Sequence, residues 1–246
     1  MTRPLISIVI PAYNAAPFLA AALTSVFAQD YRPMEVILVD DGSSDDTLAI
    51  ARAWTPALRV RHQANAGPAA ARNRGIEMAG ADYLAFVDAD DTWLPGRLGR
   101  HLGILESRPE LDMVLGLVRL DYEGAGLRFR SDRPVMALFS FGAGLFRRRA
   151  FERAGLLSED LRNSEDADWF MRARDNGANW LMEDEPVLTY RRHGANMTER
   201  LPLEKSEIFR VLARAAARKR AGTGAERRDL LSERREIVMA ARRVES

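Results

Sequence analysis

The chain has 246 residues, 47% of them hydrophobic and 29% charged, with a formal net charge of +1. That is enough for one large domain, or one domain with an appendage. There is no cysteine, which excludes disulfides, thiolate catalysis and cysteine zinc sites. The three histidines, His62, His101 and His193, are too scattered to form a zinc motif by spacing.

The apolar run near the N-terminus is short and ends at Pro11 without a small-residue cleavage site, so it reads as a core strand and not a leader. No run of eighteen apolar residues occurs, so any membrane contact would be peripheral. The chain is expected in the cytoplasm.

In chain order, Leu5–Ile10 is a β-branched run expected to end at Pro11. Pro17 opens a helix on which Phe18, Leu19, Ala22, Leu23, Val26 and Phe27 recur at helical spacing. A strand over Val36–Val39, a loop from Asp40 to Ser44 and a helix over Asp46–Trp54 follow, with Ser43 and Asp46 spaced as a capping box. A third strand is expected at Leu58–Arg61, then a loop from Gln63 to Pro68 and a helix over Ala69–Met78.

Tyr83–Val87 is a short apolar run that breaks into Asp88, Ala89, Asp90 and Asp91. If the chain stays extended there, Asp88 and Asp90 point the same way about 6 to 7 Å apart. Their repulsion, roughly 3 kcal/mol at an effective dielectric near 20, would be offset by a divalent ion with oxygen ligands. The alternative is an acidic turn in which Asp91 or Thr92 caps the next helix, expected over Pro95–Ser107.

Strands alternating with helices point to a doubly wound, mostly parallel α/β sheet, with ligands beyond the carboxyl ends of the strands. The second half changes character. Strand-like segments at Met113–Leu120 and Phe139–Phe146 flank a Gly-rich turn, a helix over Glu165–Asn176 stops at Gly177, and short strands lie at Trp180–Met182 and Val187–Tyr190. Helices are expected over about Leu203–Ala221 and Ala225–Val244. Residues 201–246 hold 12 Lys/Arg against 7 Asp/Glu, which leaves the rest of the chain net acidic. This basic helical extension would serve either as a peripheral membrane contact or as a homodimer hairpin.

With the loops in place, the chain resembles the family 2 inverting glycosyltransferases of the GT-A fold. The matching pieces are Pro11-Ala12-Tyr13-Asn14, the segment Val39 to Thr47, Asn65-Ala66-Gly67 with Ala71 to Gly75, Asp88-Ala89-Asp90-Asp91, and Glu165-Asp166. The resemblance implies a GT-A domain over residues 1–200, with a nucleotide-binding half to about 110 and an acceptor half beyond. It implies a nucleotide-diphosphate sugar as donor and Mn²⁺ or Mg²⁺ as cofactor. Asp90 and His193 would be metal ligands, and Pro11, Tyr13, Asp41, Arg72, Asp88 and Ala89 would line the donor site. Asp41 on a base edge suits a uracil ring, so UDP-sugars come first; Arg72 would pair with the phosphates.

The base that deprotonates the acceptor hydroxyl would be Asp166, with Glu165 and Asp168 as rivals. In a helix Glu165, Asp168 and Trp169 share one face while Asp166 aligns with Phe170. The expected acceptor is a saccharide or lipid-linked glycan, with no nucleic-acid partner. The only glutamines, Gln29 and Gln63, start no Gln-x-x-Arg-Trp motif of the processive synthases, so a single addition is expected. The rival classes are a nucleotidyltransferase, whose Gly-rich basic loop after the first strand is not found here, and a non-catalytic nucleotide- or glycan-binding module.

Overall fold

The computed structural model describes residues 3–122, 134–194, 196 and 206–221. Four strands open the chain: β1 (Ile6–Ala12), β2 (Met34–Asp40), β3 (Leu58–His62) and β4 (Tyr83–Phe86). They pair parallel in the order β3-β2-β1-β4. Between them run α1 (Ala16–Phe27), α2 (Thr47–Trp54) and α3 (Pro68–Met78).

The central strands read as continuous apolar runs because both faces are covered. Ile6, Ile8 and Ile10 of β1 pack on one face with Leu19, Leu23 and Val26 of α1. Val9 faces the other way, into a cluster with Ile37, Val39, Ala69, Ile76 and Phe86. Such side chains each contribute about 1.5–3 kcal/mol by leaving water.

Strand β1 runs through Pro11 instead of stopping before it. Val9 O accepts from Val87 N on the β4 side, and Ala12 O accepts from Asp41 N on the β2 side. By alternation Pro11 faces the β4 side, where pairing has ended at Val9 and Phe86. Its missing N–H costs no ladder bond.

The second half is mixed, as the pattern suggests. After β5 (Thr92–Trp93) and α4 (Arg97–Ser107) come β6 (Met113–Tyr122), β7 (Val135–Ala137), β8 (Gly144–Arg147), α5 (Arg148–Ala154), α6 (Glu165–Asp175), β9 (Trp180–Arg192) and α7 (Ile208–Arg220). The sheet continues β4-β8-β6-β9-β5, with β7 also on β6. The β4–β8, β8–β6 and β9–β5 pairs are antiparallel, and β6–β9 is parallel.

Several boundaries differ from expectation for identifiable reasons. The segment expected as one strand over Phe139–Phe146 is broken by a 3-10 turn at Phe141–Ala143. Ser140 Oγ accepts from Gly142 N, and Trp93 Nε1 and the Arg97 guanidinium both donate to Gly142 O, so side chains bend the backbone there. Glu183 to Pro186 looked like a gap between two strands. The chain instead stays extended as β9, and register irregularities opposite Leu115–Val118 absorb the mismatch.

Helix α4 starts at Arg97 after a left-handed Gly96, not at Pro95. The Ser43–Asp46 capping box does not form: Asp45 accepts from Thr47 N and Oγ1, while Ser43 Oγ accepts from Asn14 N. Helix α5 carried no expectation. The Gly-rich turn falls mostly, and the Ala225–Val244 helix wholly, outside the described residues. Among the described residues no helix is long and apolar enough to cross a membrane.

Helix α3 sits so close to β1 that a Cβ on Gly75 would lie 2.2 Å from Val9 Cγ1. Gly75→Ala is therefore expected to destabilise the protein by about 1–3 kcal/mol, the range for overpacking. Urea unfolding would check this, and a loss near zero would show that the α3–β1 contact is looser than described.

Candidate active site

The parallel topology brings the loops after β1, β2, β3 and β4 to one rim. Tyr13 lies on the first of these loops and is 54% exposed, whereas Pro11 at the end of β1 is buried. Asp41 is also buried. Its Oδ1 accepts from Gln63 Nε2 and Ala66 N, and its Oδ2 from Gly67 N at 2.8 Å. This aspartate therefore holds the Gln63–Gly67 loop in place instead of offering a bare carboxylate to a base. Gly42 serves the same junction: its φ of +76° is left-handed, and a Cβ there would meet Asn65 N at 2.7 Å.

The acidic run after β4 is a turn, not an extension of the strand. Asp91 N donates to Asp88 O at 3.0 Å. Asp88 and Asp90 accordingly reach different partners. Asp88 Oδ1 accepts from Arg72 at 2.6 Å. Asp90 Oδ2 accepts from Asn196 Nδ2 at 3.1 Å and lies 3.3 Å from His193 Nε2.

Ala89 between them is buried. Asp91 caps no helix; it is buried and accepts from Arg191 N, which ties the turn to the end of β9. Burial first, and then the charge of Asp88, raises the Asp90 carboxyl above its ordinary range. Asp91 is raised further, by burial, then Asp90 and Asp88.

Arg72 departs most from expectation. Its guanidinium is buried and forked between two carboxylates, Asp88 and Glu165, at 2.6 Å each. The Phe141 ring lies 5.8 Å away. Burial alone would weaken its charge, but Asp88, Glu165 and Asp166 outweigh that and push its pKa up. It is a strut between carboxylates.

The three acids at the start of α6 are thereby sorted. Glu165 is taken by Arg72, and Asp168 is buried with Ser158 Oγ at 2.7 Å and Arg172 Nε at 2.8 Å. Asp166 makes no ion pair among the described residues and stays half-buried. Surrounding protein raises its carboxyl to about 7. Burial is the main cause, then Glu165; Arg72 opposes the shift and Asp88 adds to it.

His193 is mostly buried and stacks on Phe18 with ring centroids 4.1 Å apart. Its backbone N donates to Asn196 Oδ1. Sequence reasoning missed Asn196 as a partner of both Asp90 and His193, and Phe18 as the ring beneath the histidine. The i, i+3 spacing of His193 and Asn196 was the available signal.

Among the described residues no three His, Asp or Glu side chains form a ready metal cage. The donor set nevertheless fits a small divalent ion. A carboxylate oxygen of Asp90 and an imidazole nitrogen of His193 lie 3.3 Å apart, and small divalent ions commonly take only one or two protein ligands plus substrate phosphates.

Comparison with known proteins agrees with this architecture. The structure of Staphylococcus aureus TarS 1-349 in complex with UDP-GlcNAc superposes with a TM-score of 0.70 at 22% identity, over 86% of this chain and 65% of TarS. The mannosyltransferase PcManGT of Pyrobaculum calidifontis, in complex with GDP-Man and Mn²⁺, gives 0.64 at 20% identity, over 92% and 66%. The fold is thus the GT-A α/β fold of nucleotide-sugar transferases.

The profile for glycosyl transferase family 2 matches residues 7–176, and the chain belongs to that family. The glycosyltransferase EpsJ of Bacillus subtilis is 32% identical over 80% of this chain and 63% of its own length. The succinoglycan biosynthesis protein ExoU of Rhizobium meliloti is 34% identical over 71% and 58%. The chain thus spans somewhat under two thirds of these relatives.

The raised Asp166 carboxyl has a consequence for stability. A folded-state value above the unfolded one near 3.8 means that stability falls as pH rises from about 4 to 7 and levels off above it. Asp166→Asn, which mimics the neutral acid, is expected to be more stable than wild type at pH 8. The difference should be on the order of 1–2 kcal/mol after discounting for solvent access, and should shrink toward pH 4. Urea titrations at the two pH values would show it, and a difference independent of pH would refute the raised value.

Proposed function

We propose that the chain is a metal-dependent inverting glycosyltransferase that moves a sugar from a UDP-sugar to a hydroxyl of a saccharide or lipid-linked acceptor, in polysaccharide or glycolipid assembly. The observation that carries this reading is the sorting of acids at the α6 N-terminus. Of three candidates, Glu165 and Asp168 are consumed by arginines, and Asp166 alone remains accessible, with a carboxyl raised to about 7.

A general base works best with a pKa near the operating pH, where it is ionised yet still basic. Asp166 meets that condition, and its place on the first helical turn favours the ionised form. In the reaction Asp166 would take the proton from the acceptor hydroxyl as its oxygen attacks the anomeric carbon, while the nucleoside diphosphate departs from the opposite side. Attack from the far side inverts the anomeric centre.

On the donor side, the Tyr13 loop and the Asn65–Gly67 loop, held by Asp41, would bracket the base, with Pro11 and Ala89 as the small or rigid floor. Asp88, anchored by Arg72, would meet the ribose. Asp90 and His193 would hold Mn²⁺ or Mg²⁺. When bound, the ion neutralises charge on the departing diphosphate. The carboxyls of Asp90 and Asp91, raised by burial and then by the neighbouring carboxylates, support a cation at this place.

UDP is favoured because Asp41 Oδ2, which accepts from Gly67 N, has a second lone pair that a uracil ring N–H could use. A UDP-GlcNAc complex of a protein with the same fold is in line with that choice.

The test separates binding from chemistry. Calorimetry with UDP and Mn²⁺ is expected to show binding to wild type and to Asp166→Asn, and a loss of at least about tenfold for Asp90→Ala. A panel of UDP-sugars should show that Asp166→Asn lowers turnover by about 10²–10⁴-fold, the usual worth of a general base. Near-wild-type turnover in Asp166→Asn would refute the base, and Mn²⁺-independent UDP binding would refute the metal.

A further inference from the structure

Helix α7 lies beyond the residues matched by the family profile, yet it grips the backbone just ahead of the Glu165-Asp166 pair. Glu207, at its N-terminus, accepts through one oxygen from Arg162 N at 2.5 Å and Asn163 N at 3.1 Å. The grip is reciprocal, because Asn163 Oδ1 accepts from Glu207 N at 2.9 Å and from Ser164 Oγ at 3.2 Å. One turn further on, Arg210 and Arg214 both clamp the Asp160 carboxylate, and Arg210 also donates to Asp160 O. Arg218 closes the far end on Asp175 of α6, at 2.9 Å.

What this grip holds is an unfavourable piece of backbone. Ser164, the residue before Glu165, sits at φ +64°, a left-handed conformation that a serine does not adopt without support. Its hydroxyl does not cap the helix, because it is turned to Asn163. Strained backbone of this kind persists only where its surroundings over-determine it. Here the surroundings are the Glu207 carboxylate and the Asn163 side chain. On the other side, Asn73 fixes the far end of the same loop through Leu157 and Glu159.

We propose that α7 is a working part of the transferase and that Glu207 is a positioning residue for Asp166. By holding the Arg162–Ser164 backbone, it sets the first turn of α6 so that Glu165 meets Arg72 and Asp166 faces the cleft. The proposal rests on the reading of Asp166 as the base, but the grip itself does not.

The experiment uses the full chain with Glu207→Ala, Glu207→Gln and Asp160→Asn. In the free protein, hydrogen exchange of amides 162–168 is expected to speed up at least tenfold in Glu207→Ala and to stay near wild type in Glu207→Gln, whose amide oxygen can still accept both bonds. Amides of α1 to α3 should not change in any variant, and Asp160→Asn should fall between the two Glu207 variants.

With whichever UDP-sugar wild type turns over, Glu207→Ala should lower kcat about tenfold while leaving the donor KM and UDP affinity unchanged, and Glu207→Gln should restore most of kcat. Exchange at 162–168 that is unchanged in Glu207→Ala would overturn the grip. Equal losses in kcat and donor affinity, or no loss in kcat, would overturn the positioning role. If wild type turns over no UDP-sugar, the base reading and the positioning role fall together, while the exchange data still decide the grip.

Discussion

One buried guanidinium connects the two halves of this molecule. Arg72 comes from α3, in the parallel half. It meets Asp88, at the end of β4, with one nitrogen and Glu165, at the head of α6 in the second half, with the other. A charge taken so completely out of water is tolerable only when paired, and removing either partner from such a group typically costs several kcal/mol. The pairing therefore dictates where the β4 turn and the α6 helix sit relative to each other. The cleft is the space left between two elements that share one cation.

The same arrangement leaves the cleft short of positive charge. Asp88, Asp90, Asp91, Glu165 and Asp166 converge there, and Arg72 directly satisfies two of them. Burial first, and then a neighbouring carboxylate, raises the carboxyls of Asp90, Asp91 and Asp166. Two different uses of that deficit fit the proposed chemistry. At Asp90, beside His193, it favours a metal ion and the anionic donor that accompanies it. At Asp166 it would give the proposed base useful strength.

The parallel half was legible because its signals are local. Apolar runs, the Pro17 helix start and the loop motifs each sit within a few residues, and their alternation fixes a doubly wound topology. The second half was read less well where long-range contacts override local preference. Phe141 breaks a strand-like run because Trp93 and Arg97, about 45 residues earlier in sequence, hold its neighbour Gly142. Glu183–Pro186 remains strand because β6 pairs with it across an irregular register.

At the site, the motifs named residues that the fold brings into contact, Arg72 with Asp88 and Asp90 with His193, but not the rest of their partners. Nothing in the spacing tells that Arg72 chooses carboxylates 16 and 93 residues away, or that Asp41 spends its oxygens on the amides of Ala66 and Gly67. Those choices depend on which charges end up buried together, which only the folded chain decides.

The arginine strut and the α7 grip act on the two ends of the same short stretch. Arg72 pulls on the Glu165 side chain from inside the cleft, while Glu207 holds the Arg162 and Asn163 amides from outside. Either alone leaves a rotation of the α6 start about the other contact, since a single side-chain anchor does not define a helix axis. Together they fix both direction and register, so that Asp166, one residue past Glu165 and about 100° further round the helix, cannot turn away without breaking a buried ion pair or releasing the left-handed Ser164. A base needs that constraint more than a metal ligand does. An ion can shift toward its ligands, whereas proton transfer requires the acid within hydrogen-bond reach of one hydroxyl in one orientation.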